Sequence, residues 1–267
     1  MNNFLKKQWL TGTLLAMAIA QPAAATNIVD EYYGADNHGW GDRIGSSTFE
    51  IFSMDVSLSG STLTVSINTN FAGKGDDGLF DGIGDPNLTK GMGIGYGDLF
   101  LSSSWMPDGT AGNHYVTDNN ITGTQWTYGL SLDNRWWDGT GTGGATLYEL
   151  NGASNDANAL MSEDFLTGGT YRNGQEVAVD TSASDTVALA NDADWTITNG
   201  SSVNFIIDLT GTDLLALLNA GGEIGLHWGM TCANDAIEGA FSVPEPGMLV
   251  LLATGLIGLG MVKRKRA

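Results

Sequence analysis

The chain has 267 residues, with 30 acids against 11 cations and a formal net charge of −19. That balance excludes a nucleic-acid binder, which needs clustered Lys and Arg to displace phosphate counterions. It also opposes adhesion to anionic lipid. Cys232 is the only cysteine, so no intrachain disulfide is available and burial has to stabilise the fold.

Lys6 and Lys7 precede an apolar run from Trp9 to Ala20, and Ala23-Ala24-Ala25 offers small residues for cleavage before Thr26. This order of basic, apolar and small residues is that of a secretory signal peptide, expected to be removed from residues 1–25. The body is expected over residues 26–242, enough for one sizeable core and too few for two full domains. It keeps five cations (Arg43, Lys74, Lys90, Arg135 and Arg172) against 29 acids, a charge of −24. Of those acids 22 are Asp, a residue that favours turns over helix faces.

The body reads as β almost throughout. Thr62 to Asn68 alternates strictly, with Leu63, Val65 and Ile67 on one face. Phe49 to Leu58 precedes it, and Ser59-Gly60-Ser61 between them predicts a hairpin. Further strands are predicted over 98–102, 125–132, 145–150, 176–179, 186–189, 195–198, 202–209 and 223–230. Gly, Asn, Asp and Ser clusters divide them, which predicts an all-β fold: an antiparallel β-sandwich or jelly roll with one short helix. That helix follows Thr212-Asp213 over Leu214 to Leu218 and stops at Gly221-Gly222. Residues 156–166 hold at most another short turn. Gly-rich stretches at 73–97 and 139–144 read as long loops.

The first loop holds the candidate calcium ligands. Gly73, Gly75, Asp77 and Leu79 fit the nonapeptide of calcium-binding β-rolls, with Ala72 in place of the first glycine. The next nine residues put Pro86 where the ligand should be, so a β-roll site cannot form. What remains is a flexible loop with Asp76, Asp77, Asp81 and Asp85, whose oxygens suit calcium, against the plainer reading of a solvated Gly/Asp loop.

Trp136 and Trp137 are the candidate glycan contacts. Adjacent residues of a strand face opposite ways, so one ring is expected outside the core, flanked by Arg135 and Asp138. A flat ring beside polar hydrogen-bonding groups suits the two sides of a sugar; burial in the core is the competing expectation. His227 and Cys232 stand five apart and face opposite ways on a regular strand, so they do not form a catalytic pair. Cys232 is expected to be buried. Leu226, Trp228 and Met230 read as core, and His227 with Asp235 as a surface polar network. Paired carboxylates for glycoside hydrolysis cannot be read from spacing; Glu149, Glu163, Glu176 and Glu223 are the acids to test first.

The C-terminus is tripartite. Pro244-Glu245-Pro246 leads into an uncharged run from Gly247 to Val262, then Lys263, Arg264, Lys265 and Arg266. As a helix the run spans about 24 Å, a short transmembrane segment that snorkelling cations extend. The cations hold that end in the cytoplasm. This tail over residues 243–267 resembles the PEP-CTERM sorting signal of Gram-negative bacteria, and Gly225 to Asp235 resembles a segment found in the bodies of such proteins. The resemblance implies an exosortase-type partner that reads the motif, a transient inner-membrane anchor, and a final place at the cell surface or outside it. It also implies a link to exopolysaccharide and biofilm. The leading expectation is a non-enzymatic envelope or matrix protein with a carbohydrate-binding surface, polysaccharide as partner and no nucleic acid. The alternative is a secreted glycan hydrolase on the same scaffold.

Overall fold

A computed structural model describes residues 24–36, 42–74, 94–136, 139–166 and 171–243. It is built on an 11-stranded sheet in which every pairing is antiparallel. The strands are β1 (Ala24–Val29), β2 (Ile51–Ser59), β3 (Thr62–Thr69), β4 (Leu99–Ser102), β5 (Tyr128–Leu132) and β6 (Gly141–Leu150). After β7 (Ala159–Met161) and β8 (Glu176–Val179) come β9 (Thr186–Ala188), β10 (Ala193–Thr198), β11 (Ser202–Asp208), β12 (Glu223–Gly229) and β13 (Ala236–Ser242). The main sheet runs β1-β2-β3-β11-β10-β6-β5-β4-β12-β13, with β9 added on β6; β7 and β8 pair separately.

β6 makes the sheet double over. Gly141 to Gly144 pair with β10, and Ala145 to Glu149 pair with β5. The first half of this strand thus belongs to one layer and the second half to the other. Glycine is required here: a Cβ at Gly143 would stand 2.2 Å from Trp195 Nε1. The expected loop over 139–144 is therefore a strand from Gly141 onward, because close packing of Trp195 takes the place of side-chain propensity.

Alternation fills the space between the layers. Met54, Val56, Leu63, Val65, Ile67, Val203, Phe205 and Ile207 face it from one layer, and Leu99, Leu101, Leu130, Leu147, Leu226 and Trp228 from the other, all of them buried. Outward positions of the first layer include short polar side chains that hydrogen-bond in pairs, Asn27 to Asp55 and Ser66 to Asn204, beside the exposed Phe52 and Ile206. The second layer differs. Its outer face is covered by the β7–β8 hairpin and by residues 105–125, so that Phe100, Trp126, Leu150, Met161 and Val179 form a second buried cluster there.

Among the described residues two α-helices accompany the sheet where one was expected. α1 (Ser162–Phe165) is a single turn between β7 and β8; α2 (Asp213–Asn219) is the expected helix. Thr212 caps α2, its hydroxyl accepting from the Leu215 N–H at 3.3 Å. Among the described residues no helix is long and apolar enough to cross a membrane. The run from Gly247 to Val262, like residues 1–23, lies outside them.

Candidate functional site: an aromatic groove and a sealed acid cluster

Trp136 lies in a turn after β5, not in a strand, and the turn fixes one face of its ring. A Cβ at Gly95 would stand 2.5 Å from Trp136 Cε3, so only glycine lets the indole settle there. Phe165 of α1 meets it edgewise, with ring centroids 6.3 Å apart. The seat is held by Asp98. This fully buried carboxylate accepts from the Leu132 N–H at 3.0 Å and the Val179 N–H at 2.7 Å, and pairs with the Arg135 guanidinium at 2.9 Å. Arg135 also donates to the Tyr96 carbonyl at 3.1 Å. One acid thus joins β5, the β7–β8 hairpin and the turn that carries Trp136.

Beside the ring a groove of about 270 Å³ runs between the turn and the hairpin. Leu160, Phe165 and Val179 line its apolar part; Ser131, Asp180 and Ser182 line its polar part. Trp136 is half-buried, with an aromatic surface next to hydroxyl, carboxylate and guanidinium groups. Such a groove can stack a flat apolar face and hydrogen-bond its edges.

A second group of polar residues lies on the covered outer face. β12 and β13 set His227 opposite Glu238, and β12 and β4 set His227 opposite Phe100. His227 Nδ1 stands 2.9 Å from Glu238 Oε1, and Nε2 stands 2.7 Å from the Glu176 carbonyl. A carbonyl only accepts, so Nε2 carries a proton. Glu238 also accepts from the Trp105 indole at 3.1 Å. Burial alone would lower the pKa of His227; the hydrogen bond and charge of Glu238 raise it instead. The raised pKa favours the charged imidazolium of His227 beside Glu238.

Two neighbouring acids are pushed the other way. Burial raises Glu176 to about 8, with the charge of Glu238 adding to the shift. Burial also raises Asp118 to about 7, again with Glu238 contributing, although the Asp108 N–H and the Tyr32 hydroxyl both donate to it. Asn155 completes the group, donating to Glu176 and to the Thr124 carbonyl. None of Tyr32, Asp118, Glu176, His227 and Glu238 is more than 6% exposed. The cluster is sealed under Trp105 to Gln125 and ties that segment to the sheet.

The structure thereby corrects the expectation for His227 and Asp235. Both are fully buried, not on the surface: residues 105–125 and the hairpin cover the sheet face that carries His227, and Asp235 is enclosed before β13 beside Ile51, Asp30 and Arg172. Asp235 accepts from the Ile51 and Ala236 N–H groups at 2.7 and 3.0 Å. Cys232 is buried, and burial pushes its thiol up to about 12, so it is inert. Glu149 is half-buried in a separate cleft of about 330 Å³ with Tyr128 and Asp213. Glu163 and Glu223 are exposed and apart from each other in the fold. Asp76, Asp77, Asp81 and Asp85 lie outside the described residues, as do Trp137, the Pro244-Glu245-Pro246 motif and Lys263, Arg264, Lys265 and Arg266. Among the described residues no three His, Cys, Asp or Glu side chains converge as metal ligands.

Sequence reasoning missed Asp98, Asp118 and Glu238. A signal existed for two of them: Asp98 opens the apolar Leu99-Phe100-Leu101, and Glu238 interrupts an apolar run from Ala236 to Phe241. Lone acids in such runs, in a body with five cations, are candidates for buried pairing.

The fold and its sites define a β-sandwich body with an open groove beside Trp136 and a closed polar cluster around His227. Residues 242–265 match the PEP-CTERM protein-sorting motif. The chain therefore carries a PEP-CTERM sorting signal, which implies export and processing by an exosortase for sorting to the cell surface. No curated protein and no solved structure matches it significantly.

Proposed function

We propose that the body is a non-enzymatic envelope or matrix protein that contacts polysaccharide through the Trp136 groove. The observation that carries this reading is the seating of Trp136. A half-buried indole is fixed by Gly95, Phe165 and the Asp98–Arg135 pair, beside a polar rim of Ser131, Asp180 and Ser182. Stacking on a rigid ring costs little conformational entropy. Residues 1–25 and the segment beyond Pro246 are removed during export and sorting, and the anchoring is transient. The link to exopolysaccharide and biofilm follows from the sorting class. Binding of the purified exported protein to its host's own polysaccharide, measured by calorimetry, tests the reading. Trp136→Ala weakens binding by about tenfold. Equal binding by wild type and variant removes the groove from the account.

The second reading, a secreted glycan hydrolase, draws on one pair of groups. Burial raises the pKa of Glu176 to about 8, into the range of a general acid, and Glu238 lies in the same cluster, bonded to His227. Their burial opposes it, since a substrate has to displace residues 105–125 first. Reducing ends released from the host polymer, and lost in Glu176→Gln, establish the hydrolase.

Calcium at Asp76, Asp77, Asp81 and Asp85 is a separate proposal. A melt with and without EDTA decides it, because saturation at a hundred times Kd adds about 2.7 kcal/mol.

A further inference from the structure

The folded body starts and finishes at the same end. β1 and β13 are the two extremes of the sheet path, yet they lie side by side. Ile28 sits over Gly239, where an added Cβ would be 2.5 Å from its Cγ2. One step further along, Asp30 faces Asp235. β1 runs toward that acid pair and β13 runs away from it, so the first residues of β1 come beside the last residues of β13. Both membrane-directed segments of the precursor therefore leave from one corner.

No slack separates the fold from the sorting motif. Phe241 is fully buried, Ser242 is still in register with Glu223, and Val243 packs against the core. The next residue is Pro244. An enzyme that cuts at this motif has to hold several residues in extended form, at about 3.3 Å each. β13 is held by a ladder on one side only, with β12, and meets β1 through side chains. Its last residues are the part of the core layer easiest to lift.

We propose that the end of the body carrying Thr26, Glu223 and Val243 is the surface that meets the membrane-embedded sorting enzyme, and that Phe241 to Val243 leave the sheet before the motif is cut. This rests on the sorting signal being used. Trp136 sits at the opposite end of the same strands, beyond Leu132 and near the Tyr96–Met230 bridge. The groove consequently faces away from the bilayer while the precursor is anchored, and its ligand does not compete with processing.

Pulse-chase of the full-length precursor in a host that carries the sorting enzyme tests this. Inserting about eight Gly and Ser residues between Val243 and Pro244 supplies the missing reach. It shortens the precursor's half-life several-fold. Phe241→Ala, which loosens the strand end without lengthening the chain, shortens it as well, by up to about tenfold. The same insertion in the turn at Gly200, at the far end, leaves the half-life unchanged. An unchanged or longer half-life with the Val243 insertion overturns the proposal, provided wild type is cut and Glu245→Ala is not. If wild type is never cut, or Glu245→Ala is cut equally, the sorting reading fails first and the proposal falls with it.

Discussion

The two faces of the β5-β4-β12-β13 layer are equally buried but built from different chemistry. The inner face is Leu99, Leu101, Leu130, Leu226 and Trp228, whose indole N–H donates to the Gly97 carbonyl at 3.0 Å, with Tyr128 at its rim donating its hydroxyl to Asp213 at 2.8 Å. The outer face sets Phe100 and Trp126 around His227, Glu238, Glu176 and Asp118. Burial on the inner side depends only on shape and area. Burial on the outer side depends on every proton being in place, because an unpaired charge there keeps its full desolvation cost. The inner face should therefore be indifferent to pH, and the outer face should not.

The largest expected effects come from breaking either face outright. Trp228→Ala leaves a cavity in the inner core and costs about 3–5 kcal/mol at any pH, read from urea unfolding. Glu238→Ala strands the His227 imidazolium and the Trp105 indole. It costs about 3 kcal/mol in mild acid and less in alkali, where the imidazole sheds its proton.

The pH profile of wild type comes next. Glu176 and Asp118 hold their protons in the folded state to about 8 and about 7, well above where an unfolded chain releases them. The raised pKa of His227 acts in the same direction. From about pH 4 to about pH 8 the folded state thus binds more protons than the unfolded one, so stability falls as pH rises. Thermal melting should drop by roughly 10 °C between about pH 5 and about pH 8. A flat profile would mean that these acids are not sealed. Glu176→Gln keeps the shape and the acceptor for Asn155 while removing the proton, so it should flatten the profile and shift stability at pH 5 by about 1 kcal/mol or less. The smallest effect belongs to the outer face of the other layer, where Ile206 is 47% exposed; Ile206→Thr should stay within about 0.5 kcal/mol.

This asymmetry also explains what the chain disclosed beforehand. Thr62 to Asn68 and Phe49 to Leu58 were legible because one side of that layer faces solvent, and strict alternation follows from a half-buried strand. β12 and β13 are buried on both faces, so polarity no longer marks the outside, and alternation alone puts His227 on the surface. β13 was missed for the same reason. β8 was legible over 176–179, but its partner β7 is only three residues long, too short for any period to show. Gly141 to Gly144 looked like a loop because the packing that needs glycine there comes from Trp195, fifty residues on. Of the groove, Trp136 with its flanking Arg135 could be read from composition and adjacency. Asp98, which holds the seat together, could not, since its partners on β5 and β8 are brought to it only by the fold.

The most direct check is the intact mass of the protein recovered from its native host's envelope and culture medium. The expected product begins at Thr26 and has lost the apolar run and the four terminal cations. A full-length product from Met1 to Ala267, found in the cytosol, would contradict export and sorting together.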